Sequence, residues 1–178
     1  HKVAAMRLYR LEARNKVRLT VYNLFGDPVY RDGEAMEELR QELLARLLAR
    51  TFERVPGIAG IALGLPGQVD GGRVVFCDHP VLEGETIPRR WESLYGVPVR
   101  PANDIDAAML GYVQGLAPEK SQGLTAGFYF PQSFLPGMGL VLEGRPWPGH
   151  RGFVGEFHFL PPTVGWESLD YEDRGAVE

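Results

Sequence analysis

The sequence predicts an α/β protein of two lobes, the first complete and the second partial, and three stretches carry that reading. Residues 97–99 are a short apolar run that stops at Pro101, passes through Asn103-Asp104 and continues as Ile105, Ala108, Met109 and Tyr112, spaced as on a helix. Residues 58–63 are apolar almost throughout, as a strand covered on both faces should be, and exit through Gly64-Leu65-Pro66-Gly67. Between Glu34 and Phe52, the residues Met36, Leu39, Leu43, Leu44, Leu47, Leu48 and Phe52 fall on one side of a helix. Glu37, Glu38, Arg40, Arg46 and Arg50 fall outside it, so this helix should cover a sheet.

Taken in order, residues 2–9 and 16–22 read as strands, the second from Val17, Leu19 and Val21 alternating with Lys16, Arg18 and Thr20. They flank residues 10–15 as a hairpin. A third strand carries Val29 and Tyr30 after the turn at Gly26-Asp27-Pro28. The helix and the buried strand follow, and Asp70-Gly71-Gly72 turns the chain into residues 74–77. A loop leads to a short helix at 89–95, then to the strand-helix stretch already described. Pro118-Glu119-Lys120-Ser121 reads as a polar hinge, which divides the chain into lobes 1–120 and 121–178. Residues 124–130, 137–143 and 154–160 read as strands of the second lobe, with Gly144 as a turn. Residues 161–178 are polar and rich in turn formers, so no long amphipathic helix covers that second sheet. Further chain or a partner chain is expected to supply the cover.

Composition narrows the function. The 178 residues are 44% hydrophobic and 24% charged, enough for one ample core or two small lobes. A net charge of -4 and a pI near 5.6 give no electrostatic reason to expect nucleic acid on this segment. The single cysteine, Cys77, rules out an internal disulfide and suits a reducing, cytoplasmic setting. No apolar run reaches the length of a membrane span. The chain opens on His1 without a signal-peptide pattern, which reads as a cut or trimmed start.

Asn103 and Asp104 suit a helix cap, because their oxygens can accept from the unpaired amides of the first turn. A ligand role competes with that reading, since ligands of α/β proteins collect at the carboxyl ends of strands. The run GIALGLPGQVDGGRV at 60–74, Pro80-Val81-Leu82, YGVPVRPANDIDAAMLGYVQG at 95–115 and GMGLVLEGRPWPGHRGFVGEFHF at 137–159 resembles the ROK family of bacterial sugar kinases and sugar-responsive repressors. The resemblance rests on the order and spacing of the four segments and spans roughly the first two thirds of a typical member. It implies the actin-like, ribonuclease H-like two-lobe ATPase fold, with sugar and nucleotide meeting in the cleft. It also implies that Asp104 is the general base in a kinase, that Asn103 contacts the sugar, and that Glu156 matches the sugar-contacting Glu of the Gly-Glu-x-Gly-His motif. One carboxylate beside the attacking hydroxyl is what phosphoryl transfer asks of the protein.

The phosphate side departs from the family. Where its kinases carry Asp-x-Gly-Gly-Thr, this chain has Leu11 at the Asp and Ala13-Arg14-Asn15 at Gly-Gly-Thr. The second phosphate loop becomes Ser133-Phe134-Leu135-Pro136-Gly137-Met138-Gly139, so Gly137 and Gly139 survive as a degenerate nucleotide site while Pro136 removes an amide donor. The sugar-contacting Asn of the Pro-Asn-Leu segment is Val81, and the second Asn of Asn-Asp-x-Asn is Asp106. Phe159 stands where the motif His should fall. His158 is one place early and reaches the sugar only in a shifted register. With no cysteine after Cys77, the family's structural zinc cluster is excluded, and no metal site is expected, because Cys77 and His79 alone do not make one.

The sugar-side residues are therefore Asn103, Asp104, Glu156, Gly67 and His158, although a tight strand exit alone also explains Gly67. Sheet packing and filling of an emptied nucleotide cleft both account for the aromatics Phe128, Tyr129, Phe130 and Phe134. The expectation is a non-catalytic module that binds a sugar or pairs subunits as a homo-oligomer, in the effector part of a transcriptional regulator. No cofactor is expected on that reading. The alternative is an ATP- and magnesium-dependent hexose kinase with Asp104 as base.

Overall fold

The structure, a computed structural model, describes residues 1–11, 14–84, 86–116, 122–130 and 136–155. The chain divides into two compact units, His1–Asp104 and Ile105–Glu178. This division falls before the strand-following helix, whereas the sequence reading put it at the polar hinge, which lies outside the described residues.

The first unit is built on a five-stranded mixed sheet. β1 (Lys2–Leu11), β2 (Arg14–Asn23) and β3 (Pro28–Met36) form an antiparallel meander. β4 (Ile58–Leu65) joins β1 in parallel and β7 (Val99–Asn103) joins β4 in parallel, giving the order β3-β2-β1-β4-β7. Between them, β5 (Gly67–Asp70) and β6 (Arg73–Cys77) form a separate hairpin over Gly71 and Gly72, both at positive φ as a primed turn requires. Helices α1 (Gln41–Arg54) and α2 (Thr86–Tyr95) meet through stacked Phe52 and Tyr95 rings, 4.3 Å between centroids.

Alternation on the strands sets the core. Met6, Leu8, Leu19, Val21, Ile61 and Leu63 are buried with Leu44, Leu47 and Leu48 of α1 and Trp91 of α2. The opposite face carries Ala5, Arg7 and Tyr9 of β1, Lys16 and Arg18 of β2, and Arg31 of β3.

Two boundaries differ from the sequence expectation, each for a physical reason. The long helix begins at Gln41 and not near Glu34, because Glu34 and Met36 lie in β3 opposite Val17 and Asn15. Alternate β3 side chains face α1, where Asp32 accepts two hydrogen bonds from Arg50, at 2.7 and 2.9 Å, and Glu34 meets Arg46 at 3.3 Å. Strand β7 runs through Pro101 to Asn103 and does not stop before it. β7 is the sheet edge, where a missing backbone donor costs no ladder bond.

The second unit contains a three-stranded antiparallel sheet of β8 (Leu124–Tyr129), β9 (Gly137–Leu142) and β10 (Arg145–Pro146), in the order β10-β9-β8. Helix α3 (Asp104–Gln114) begins at the last residue of the first unit and packs on this sheet. A Cβ on Gly139 would stand 2.8 Å from Met109 Cγ and 3.0 Å from Ile105 Cγ2, and a Cβ on Gly137 would fall on the Ile105 side chain. Glycine at these positions lets the helix approach the strand closely. Of the strand expected at 154–160, Val154 and Gly155 form a turn and the remainder lies outside the described residues.

Candidate functional site

Because β1, β4 and β7 are parallel, their carboxyl ends share one edge of the first sheet. β4 and β7 finish together, Leu65 opposite Asn103, and the chain leaves β4 through Pro66 into Gly67. The Asn103 side-chain amide donates from Nδ2 to the Gly67 carbonyl at 2.8 Å, tying the end of β7 to the start of β5. Gly67 has no room for a side chain. A Cβ there would run into the Phe76 carbonyl and lie 2.8 Å from the Cys77 Cα, which explains the glycine without any ligand. Asp104 follows Asn103 directly and opens α3, where a carboxylate is favoured by the exposed amides of the first turn.

Cys77 pairs with Gly67 across the β5–β6 hairpin and is buried. Burial pushes its thiol from an ordinary value of 9.0 up to about 11. A hydrogen bond from the His79 backbone opposes that rise, and the carboxylates of Asp78, Glu83 and Asp104 add to it. The Asp104 carboxylate therefore lies within electrostatic reach of Cys77. Glu83 also accepts from the Cys77 amide at 3.3 Å. Sequence reasoning weighed Cys77 only as a metal ligand. Counting the hairpin evenly outward from Gly71-Gly72 sets Phe76 opposite Gly67; the register shift between Gln68 and Val69 brings Cys77 there instead, and that irregularity has no signal in the sequence. Asp106, at the position of the second motif Asn, has its carboxyl raised by burial.

The remaining expected residues fall elsewhere. Asn15 donates from Nδ2 to the Glu37 carbonyl at 2.8 Å, fastening the hairpin to the end of β3. Gly137 and Gly139 sit inside β9, opposite Tyr129 and Gly127, and their open faces are filled by Ile105 and Met109. Val81 lies in the 3-10 turn Pro80–Leu82, and its carbonyl accepts from Gln41 Nε2 at 2.9 Å. Glu156 and His158 lie outside the described residues. Among the described residues, no three of His, Cys, Asp and Glu gather to hold a metal, and no helix is long and apolar enough to cross a membrane.

Comparison with known proteins decides the lineage. The ROK family profile matches residues 15–167. The chain belongs to the ROK family. A candidate xylose repressor of Caldicellulosiruptor sp. strain Rt8B.4 is 27% identical over 175 residues, covering 89% of this chain and 40% of the repressor. Among solved structures, a candidate N-acetylmannosamine kinase from Listeria monocytogenes superposes with a TM-score of 0.74 at 18% identity, covering 92% of this chain and 56% of the kinase. A ROK transcriptional regulator described as a homologue of the E. coli MLC protein gives 0.70 at 24% identity, covering 86% of this chain and 40% of the regulator. The ROK fold is thus that of this chain: a mixed α/β, actin-like, ribonuclease H-like architecture. The chain spans less than half the length of the repressor it matches, and ROK relatives on both sides, repressors and kinases, share its plan.

Proposed function

We propose that this ROK chain is a non-catalytic, sugar-binding or subunit-pairing module in the effector part of a transcriptional regulator. The observation that carries the reading is the strand-end arrangement in the first unit. Asn103 is fixed on the Gly67 carbonyl, and Asp104 follows it at the helix start. A side-chain amide and a carboxylate side by side at a strand end are the kinds of group that recognise the hydroxyls of a carbohydrate. The repressor name of the curated relative directs the search toward xylose.

The groups that would hold a nucleotide do not fit a triphosphate with magnesium. The carboxylate position carries Leu11, Asn15 is engaged by the Glu37 carbonyl, Pro136 offers no amide, and Gly137 and Gly139 accommodate a helix. A metal ion and oriented amides would otherwise supply the charge stabilisation that phosphoryl transfer depends on. Pairing of identical subunits belongs to the same reading, because a regulator that reads a two-fold operator does so as a dimer. The placement of Asp104 favours a second reading, a sugar kinase in which its carboxylate takes the proton of the attacking hydroxyl.

Calorimetry separates the two. Xylose and a panel of hexoses are titrated alone, then with ATP and magnesium. The proposal expects heat from one sugar without nucleotide, abolished by Asp104→Ala and weakened by Asn103→Ala. Tight binding of magnesium-ATP, or a phosphorylated sugar in the product mixture, would overturn it in favour of the kinase.

A further inference from the structure

The first sheet separates its charges by face. On the strands of the meander, the carboxylates Asp32 and Glu34 point to the α1 side, where Arg50 and Arg46 meet them. The opposite face of the same strands carries Arg7, Lys16, Arg18 and Arg31 and no carboxylate. Arg7 and Arg18 stand directly opposite each other in the β1–β2 register, a like-charge pair that costs stability in an antiparallel ladder. None of the four cations pairs with a carboxylate among the described residues.

The arginines are nonetheless held in place. Arg7 lies over the Tyr9 ring at 5.3 Å from its centroid and Arg18 at 5.9 Å, while Lys16 is the cross-strand partner of Tyr9. Stacking on an aromatic face orients a guanidinium without using its N–H donors, so both forks remain open to an incoming oxygen anion. At the other end of the same face, Val3 and Tyr22 are paired across the strands and exposed at 38% and 37%. Val3 and Arg7 are four residues apart on β1, which puts the apolar end about 13 Å from the cationic end at strand rise.

We propose that this face of β1–β2–β3 docks an acidic, amphipathic peptide segment of a partner protein. Its carboxylates meet Arg7, Arg18 and Lys16, and one apolar side chain rests on Val3 and Tyr22. Charge complementarity argues for a polyanion, and the adjoining apolar end argues for a peptide. The net charge of -4 over the whole chain argues against a nucleic-acid strand, whose attraction grows with an extended basic surface.

The test uses the intact chain and fluorescence anisotropy of a labelled peptide bearing one Leu and, about four residues on, Glu-Ser-Glu. The same peptide with Lys for Glu is the control. Labelled oligothymidine is titrated in parallel at matched ionic strength. The expected result is saturable, salt-sensitive binding of the acidic peptide, weakened about tenfold or more by Arg7→Glu with Arg18→Glu and only a few-fold by the double Lys variant. Arg31→Glu serves as a second reversal that leaves the Tyr9 stack intact, and circular dichroism confirms that each variant is folded. Tighter binding of the oligonucleotide, indifference to both charge reversals, equal binding of the Lys peptide, or self-association through this face by sedimentation would each overturn the proposal.

Discussion

The two units seat helices on their sheets in opposite ways. In the first, large side chains do the work: Leu44, Leu47 and Leu48 of α1 fill the space over Met6, Leu19 and Ile61, and all six are almost completely buried. In the second, α3 approaches through missing side chains, with Ile105 and Met109 occupying the room left by Gly127, Gly137 and Gly139. Leu124, Phe128, Tyr129 and Trp147 meanwhile stay at least 49% exposed. Burial of apolar volume is what stabilises a lobe, so the first unit should carry most of the folding free energy among the described residues.

The largest effect should come from Leu48→Ala, where a fully buried leucine is lost from α1. A cavity of that kind costs about 2–5 kcal/mol. Hydrogen exchange should speed in β1 and β4 while the amides of β8 and β9 keep their protection. If protection falls equally in both sheets, the units unfold as one and the contrast between them is lost.

Cys77 gives the next effect, and its sign is fixed by burial. The folded thiol titrates near 11 against an ordinary 9.0, so the folded state favours the protonated form. The associated stability is whole below pH 9 and is lost as pH rises toward 11, on the order of 2–3 kcal/mol. Alkaline unfolding followed by circular dichroism should show this loss, and Cys77→Ala should flatten the curve between those limits. A wild-type curve already flat there would mean that the hairpin opens without unfolding the sheet.

Gly139→Val tests the second unit. Its Cβ would press on Met109 Cγ and Ile105 Cγ2, and overpacking of this kind costs about 1–3 kcal/mol. Exchange should rise in β8 and β9 with little change in β1. If the variant left β9 unaffected and exposed β1, the assignment of α3 to the second sheet would be wrong.

Much of this architecture is legible in the sequence because it is locally encoded. The alternation of Val17, Leu19 and Val21 and the Gly71-Gly72 turn specify the hairpins, and Asn103-Asp104 marks the junction of a strand and a helix. The start of α1 was hidden because Met36 and Leu39 continue the helical register by coincidence, while Glu34 and Met36 in fact extend the third strand of the meander opposite Val17 and Asn15. Pro101 reads as a strand stop unless the strand is known to be an edge, and edge position is a property of the whole sheet. The site was half legible for the same reason. The Asn103 amide reaches a carbonyl 36 residues away, and the seat that Gly137 and Gly139 offer to α3 has no local signature distinguishing it from a phosphate loop.

The smallest effect should come from the ion pair that joins β3 to α1. Burial alone would raise the Asp32 carboxyl, but hydrogen bonds from Arg50, the Gly33 amide and the Tyr30 hydroxyl outweigh it and hold it below its ordinary 3.8. A depressed carboxylate contributes stability above its unfolded value, and that contribution disappears as pH falls from about 4 through the folded value. Arg50 is one-third exposed, so solvent screens the pair and the contribution is a fraction of the Leu48 effect. Arg50→Ala should lower the melting temperature slightly at neutral pH and make no difference below the acid transition. Glu34 also meets Arg50, at 3.4 Å, so Asp32→Asn should reproduce most but not all of the loss. A variant that melted equally early at pH 7 and at pH 2 would show that Arg50 acts through the packing of its stem, and that β3 is held to α1 by apolar contact alone.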